Sequence, residues 1–243
     1  MAELDPSPEV LQKRLESVRA RVASSAARAA RSPEEIKIIA ISKTHPVALM
    51  QAALEAGVTD LGENRVQEAE VKINELGREA AQWHLVGHLQ TNKARRAVRL
   101  FDCIHSLDSA GLATRLERIC AEEQRERLPV LVQVDLAREA TKSGLTEDEL
   151  PLLVQLLRDC SRLSFVGLMT VPPFFENPED VRPYFGRLRK LRDDLRTGGT
   201  FGSSPGELSM GMTHDFEVAV EEGATMLRIG TAIFGERANE HPG

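Results

Sequence analysis

The sequence predicts an α/β protein: a single (β/α)8 barrel of the TIM type, preceded by one extra N-terminal helix. Three observations predict it. Strand-like apolar runs alternate with helix-like segments along nearly the whole chain, the pattern of parallel strands joined by right-handed crossovers. There are eight such runs, at residues 36–42, 60–64, 83–88, 103–107, 130–135, 165–171, 207–212 and 227–233. The chain has 243 residues, a length at which a barrel forms as one domain, here 1–243. A doubly wound open sheet is the alternative layout of the same alternation.

The elements follow in order. Leu11, Leu15, Val18 and Val22 step by four, three and four, giving the extra helix one apolar face. Leu49, Ala53 and Ala56 form a second stripe, Leu112, Leu116 and Ile119 a third, and Leu150, Leu153, Leu156 and Leu157 a fourth. The stretch PPFFENP at 172–178 follows the sixth strand, on the face where a barrel keeps its loops for chemistry, and reads either as a lid or as a rigid proline loop. TGGTFGSSPG at 197–206 reads as a mobile loop before the seventh strand. Residues 1–7 and 236–243 are expected to fray.

Composition narrows the class. Apolar residues make up 42% and charged residues 28%, as in ordinary globular proteins. A net charge of −6 argues against a general nucleic-acid binder. Cys103, Cys120 and Cys160 form no CxxC pair and read as reduced thiols, which suits a cytoplasmic location. The start has no secretory pattern, and no run approaches the length of a membrane span. The basic stretch KARRAVR at 93–99 reads as a solvated helix face. His84 and His88 are no metal pair: on a strand, four residues span roughly 13 Å. No metal is expected.

The chemistry is expected where barrel strands end. Lys43 follows the first run and precedes Thr44-His45-Pro46, with proline suited to a first helical turn. A partly desolvated amine there can attack a carbonyl carbon. Thr213 leaves the seventh strand, and Gly230-Thr231 leaves the eighth. Barrels often hold a phosphate between those two exits, on backbone N–H groups and hydroxyls. Two tight βα turns are the plainer reading of the same residues. An amine on one side of the mouth and a phosphate site on the other suit pyridoxal 5′-phosphate (PLP). Arg228 is placed to face its ring nitrogen. A guanidinium only donates, so it would keep that nitrogen unprotonated and weaken the ring as an electron sink. His88, Met169 and Ser209 are further candidates for the mouth.

Seven stretches then carry a resemblance: AISKTHP at 40–46, LGENRVQE at 61–68, WHLVGHLQTNK at 83–93, KSGL at 142–145, GLMTV at 167–171, LSMGMTHDFEVAV at 208–220 and RIGTAIFGER at 228–237. Together they resemble the pyridoxal phosphate homeostasis protein family, related in fold to the N-terminal barrel of alanine racemase. The resemblance implies that Lys43 forms the Schiff base with PLP, that Thr213, Gly230 and Thr231 hold its phosphate, that Arg228 faces the pyridine nitrogen, and that Asn64 lies beside the ring. The family often has serine where this chain has Thr213, which retains the hydroxyl.

The function expected is a PLP-binding protein of vitamin B6 and amino/keto acid homeostasis that holds and releases the cofactor without strong turnover. No catalytic residue is expected. A PLP-dependent amino-acid racemase is the alternative, but racemisation needs an acid or base on each face of the substrate, and the one tyrosine, Tyr184, lies in a helix-like stretch. A cofactor-free Schiff-base aldolase is a third reading. PLP-dependent apo-enzymes are the expected recipients, and a monomer is the expected state, with no nucleic-acid or membrane partner.

Overall fold

Alternating side chains in the strands decide the architecture. In β1 (Lys37–Ile41), Ala40 joins the core between strands and helices, while Ile39 and Ile41 point inside the ring. Leu131 of β5 (Leu128–Gln133) and Met169 of β6 (Leu163–Met169) point inside, and Val130, Val132 and Leu168 point outward. Each strand therefore buries both faces, as parallel barrel strands do. The computed structural model describes residues 7–137 and 143–236. Its eight strands pair in parallel in the order β1 to β8, and β8 returns to β1 to close the barrel. The remaining strands are β2 (Asp60–Glu63), β3 (Gln82–Leu85), β4 (Cys103–Leu107), β7 (Glu207–Met212) and β8 (Met226–Ile229). The frayed ends expected at 1–7 and 236–243 lie outside the described residues except for Ser7 and Glu236.

The helices ring this barrel. They are α1 (Pro8–Arg28), α2 (Val47–Glu55), α3 (Val66–Leu76), α4 (Ala94–Leu100), α5 (Ala110–Glu122), α6 (Leu150–Asp159), α7 (Arg182–Thr197), α8 (Phe216–Glu221) and the single turn α9 (Thr231–Phe234). The extra helix is α1. It starts with proline at its first position and buries Leu11, Leu15, Val18 and Val22 against α2, α8 and α9. Arg31 just after it donates to Val220 O at 2.8 Å, and Arg21 lies over the Phe216 ring at 4.4 Å. The basic stretch on α4 is exposed and paired, Arg95 and Arg99 with Glu123 and Arg96 with Glu70. None of the helices among the described residues is long and apolar enough to cross a membrane.

Two strands end three or four residues short of the sequence expectation, and the other boundaries agree to within two residues. The run 83–88 stops being strand at Leu85, so His88 stands in the loop beyond. The run 227–233 stops at Ile229. Gly230 turns the backbone, and the N–H groups of Ile233 and Phe234 return to Gly230 O at 2.9 and 3.0 Å, which winds the apolar residues 231–234 into a helical turn.

One helix carboxylate holds a strand in register. Glu117 of α5 accepts the backbone N–H groups of Ser161, Arg162 and Leu163, at 2.9 to 3.1 Å, where the chain enters β6. Burial would raise its pKa, but these bonds outweigh burial and lower it. Glu117→Ala strands these donors and is expected to cost roughly 2–3 kcal/mol, about 4–10 °C in Tm. A thermal melt checks this, and an unchanged Tm would mean that water replaces the carboxylate.

Candidate functional site

A cavity of about 370 Å³ opens at the carboxyl ends of the strands, within the size range of small-molecule sites. Lys43, Asn64, Thr213, Arg228, Gly230 and Thr231 all line it. A larger cavity of about 590 Å³ lies at the opposite end, under α1, where two of its charged lining residues, Lys37 and Asp60, pair with each other at 2.9 Å. Barrel chemistry belongs to the carboxyl end, and so does the converging set of amine, guanidinium and hydroxyls.

Lys43 stands two residues beyond β1 in a strained turn. Thr44 has φ of +64°, uncommon for a β-branched residue. A carboxylate holds it there: Glu68 Oε1 accepts the Thr44 N–H at 2.5 Å. Beneath the turn lies a second lysine. Lys72 of α3 is 4% exposed, and its ammonium donates to Ser42 O (2.7 Å), Glu63 Oε1 (2.7 Å) and Glu68 Oε1 (2.6 Å), using all three of its protons. The Ser42 hydroxyl also donates to Glu63 Oε1 at 2.7 Å. Glu63 is fully buried, and its Oε2 has no hydrogen-bond partner. Burial raises the Glu63 carboxyl above its ordinary value, which Lys72 opposes but does not cancel. Burial acts on Glu68 too, but there the bonds from Lys72 and the Thr44 N–H prevail and lower it. Residues on both sides of Lys43 are thus bound to a buried ionic cage.

Arg228 reaches the cavity from inside the barrel. It is 4% exposed, and two bonds fix its guanidinium: Nη1 donates to Ser209 Oγ at 2.7 Å and Nη2 to Thr170 O at 2.8 Å. Burial lowers its pKa to about 10, partly offset by Asp215, so it stays a cation and a pure donor at neutral pH. On the far wall, Thr213 Oγ1 accepts the Ala232 N–H at 3.4 Å, tying the exit of β7 to that of β8. Thr231 opens the helical turn beside it. Asn64 is held close by Gly87, where an added Cβ would lie 2.3 Å from Asn64 O.

The three further candidates for the mouth do not line the cavity. His88 is half exposed and pairs with Asp108 at 2.9 Å. Met169 is buried inside the ring with Ile39 and Leu131, and Ser209 is buried beneath Arg228. The cavity is instead completed by His45, which stacks on Phe234 at 4.8 Å, and by His214. His214 Nε2 donates toward Phe175 O and Glu176 O, both at 3.1 Å, and its ring stacks on Phe174 at 5.1 Å. It therefore joins the proline loop at 172–178 to the mouth.

Buried His84 is no mere packing residue. Its Nδ1 meets His105 Nε2 at 2.9 Å and its Nε2 meets Asp60 Oδ1 at 2.9 Å. With Cys103 these histidines place three donor atoms within 4.8 Å of one another. All four ring nitrogens already have hydrogen-bond partners, however, and burial pushes the Cys103 thiol up to about 12, against the thiolate an ion would need. The geometry is that of a hydrogen-bonded pair.

Comparison with known proteins agrees with the cavity. The model of the alanine racemase N-terminal domain family matches residues 14–238. The pyridoxal phosphate homeostasis protein of Aquifex aeolicus (strain VF5) is 41% identical over 225 residues, 93% of this chain and 97% of that protein. The chain belongs to the pyridoxal phosphate homeostasis protein family. The family's Escherichia coli (strain K12) member is 37% identical, over 92% of this chain and 95% of its own. Among solved structures, PipY of Synechococcus elongatus PCC7942 with PLP bound is 38% identical, with a TM-score of 0.78 over 93% of this chain and 100% of PipY. Alanine racemase of Corynebacterium glutamicum, 13% identical with a TM-score of 0.66 over 98% of this chain and 63% of its own, shares the fold.

Proposed function

We propose that this protein binds PLP at the carboxyl end of its barrel, holds it covalently through Lys43, and releases it again, as part of vitamin B6 and amino/keto acid homeostasis. The observation that carries this reading is the lining of one cavity by Lys43, Asn64, Thr213, Arg228, Gly230 and Thr231. The donor set fits the cofactor: an amine for its aldehyde, hydroxyls and backbone N–H groups for its phosphate, and a guanidinium for its ring nitrogen. Relatives named for PLP homeostasis and a PLP-bound structure at 38% identity support it. PLP when bound supplies an electrophilic aldehyde on a ring that can draw electrons.

This chain's residues favour holding over turnover. Arg228 can only donate, so it would leave a ring nitrogen facing it unprotonated and the ring a poor electron sink. Tyr184 packs against Phe175 at 5.7 Å and does not line the cavity. His45 and His214, which do line it, are engaged with Phe234 and with the carbonyls of the proline loop. We propose a monomer acting in the cytoplasm, with PLP-dependent apo-enzymes as recipients.

The expected result is a yellow protein whose absorbance band persists through dialysis and which borohydride fixes at Lys43. A colourless protein that takes up no PLP rejects the reading. Racemisation of alanine or serine at roughly 1 s⁻¹ or faster rejects its non-catalytic half.

A further inference from the structure

Five polar side chains cross the interior of the barrel in an unbroken line. Arg228 Nη1 donates to Ser209 Oγ at 2.7 Å. Ser209 Oγ lies 2.8 Å from His105 Nδ1, His105 Nε2 lies 2.9 Å from His84 Nδ1, and His84 Nε2 lies 2.9 Å from Asp60 Oδ1. Every member is under 7% exposed. The line starts at the cavity and ends at the first residue of β2, at the opposite mouth. There Lys37 Nζ donates to Asp60 Oδ1 at 2.9 Å and the Thr59 hydroxyl to Oδ2 at 2.8 Å.

The two ends dictate the direction of every link. Arg228 cannot accept, so Ser209 accepts from it and gives its single proton to His105 Nδ1. His105 then carries its proton on Nε2 and donates to His84 Nδ1. His84 in turn carries its proton on Nε2 and donates to Asp60, whose carboxylate can only accept. With both rings neutral, the reverse order would set a bare His84 nitrogen against the carboxylate. Burial, with His84, Arg228 and Lys37 adding to it in that order, holds His105 well below the ordinary histidine range and supports its neutral form. Asp60 supports the other end: burial alone would raise it, but the bonds from His84, Lys37 and Thr59 hold it at about 2, ionised at neutral pH.

We propose that Ser209, His105, His84 and Asp60 are positioning residues that form a one-way hydrogen-bond chain, locking Arg228 as a fixed donor toward the bound ligand and linking that contact to the far mouth of the barrel. The orientation of the chain stands on the interior geometry alone. Its effect on the ligand rests on the PLP reading above.

Two arms test it separately. Nitrogen-15 NMR of the histidine side chains in the ligand-free protein is expected to show His84 and His105 both neutral with the proton on Nε2. A doubly protonated His84, or a His105 protonated on Nδ1, overturns the chain, whether or not PLP binds. In the second arm PLP is loaded and its release to an excess of an apo-enzyme trap is followed. Ser209→Ala is expected to speed release roughly tenfold or more, since Arg228 loses a charge-assisted bond, and to shift the absorbance maximum of the bound cofactor. Ser209→Thr is expected to restore both. Asp60→Asn keeps an acceptor for His84 and is expected to release PLP at nearly the native rate, whereas Asp60→Ala is expected to resemble Ser209→Ala. If Ser209→Ala and Asp60→Ala lower Tm but leave release and absorbance unchanged, the chain is structural only and the proposal fails. Should the protein not take up PLP, the first arm still decides the chain and the PLP reading falls alone.

Discussion

Lys43→Ala is expected to abolish the borohydride-fixable band and to convert a cofactor that survives dialysis into one that leaves during it. The physical reason is a division of labour across the cavity. Among the described residues lining the cavity, Lys43 supplies the primary amine able to form a covalent bond with an aldehyde, releasing water as it condenses, while Thr213, Thr231 and Gly230 surround the opposite wall. Removing the amine leaves those donors and Arg228 in place, so weaker, reversible PLP binding should persist and be measurable by fluorescence titration. Thr231→Ala should behave differently. Loss of one hydroxyl hydrogen bond to a dianion costs about 1.5–3 kcal/mol, roughly 10- to 150-fold in Kd, with the band retained. Equal loss of binding in the two variants would show that the amine and the phosphate site do not divide the work.

The second large effect is expected away from the ligand. Lys72→Met leaves Glu63, which is fully buried, without its counter-ion. Breaking one partner out of a buried pair costs about 3–5 kcal/mol, on the order of 10 °C in Tm for a domain of this size. The sign with pH follows from the elevated Glu63 carboxyl. A carboxyl raised in the folded state favours folding when protonated, so the loss should shrink as pH falls toward the ordinary carboxylate range and grow as pH rises. Lys72→Met combined with Glu63→Gln should recover part of the stability, because the buried charge is gone. A Tm within about 2 °C of the parent for Lys72→Met, or no recovery in the pair, would remove the cage from any account of how Lys43 is held.

The barrel and the cavity were legible because both depend on short-range pattern. Apolar runs mark the strands, and polar residues just beyond them mark the mouth. Lys43, Asn64, Thr213, Gly230 and Thr231 could therefore be placed at one end from order, whereas Arg228 lies within the eighth strand and reaches the cavity from inside the ring. The cage depends on how a helix packs on its preceding strand, and the interior chain on register between strands. Glu63 and Lys72 are nine residues apart, a spacing with no periodic signature, and they meet because α3 folds back over β2. His84 and His105 meet because β3 and β4 pair with His84 opposite Cys103. Alternation did offer a clue. His84 sits between outward-facing Trp83 and Leu85, and His105 follows outward-facing Ile104, so both had to point into the ring. The overextended eighth strand has a different cause: Ile233 and Phe234 are buried whether the backbone is strand or helix, and burial alone does not distinguish the two.

The closure of β8 onto β1 has a consequence for when the site can exist. Every other neighbouring pair of strands is joined by a crossover; this pair is joined only by hydrogen bonds and by α1 lying over the seam. Lys43 leaves one side of that seam, and Arg228, Gly230 and Thr231 stand on the other. Lys43 is made well before Gly230 and Thr231, and the two sides meet only when β8 pairs with β1. A ligand that touched both sides would therefore require the closed ring.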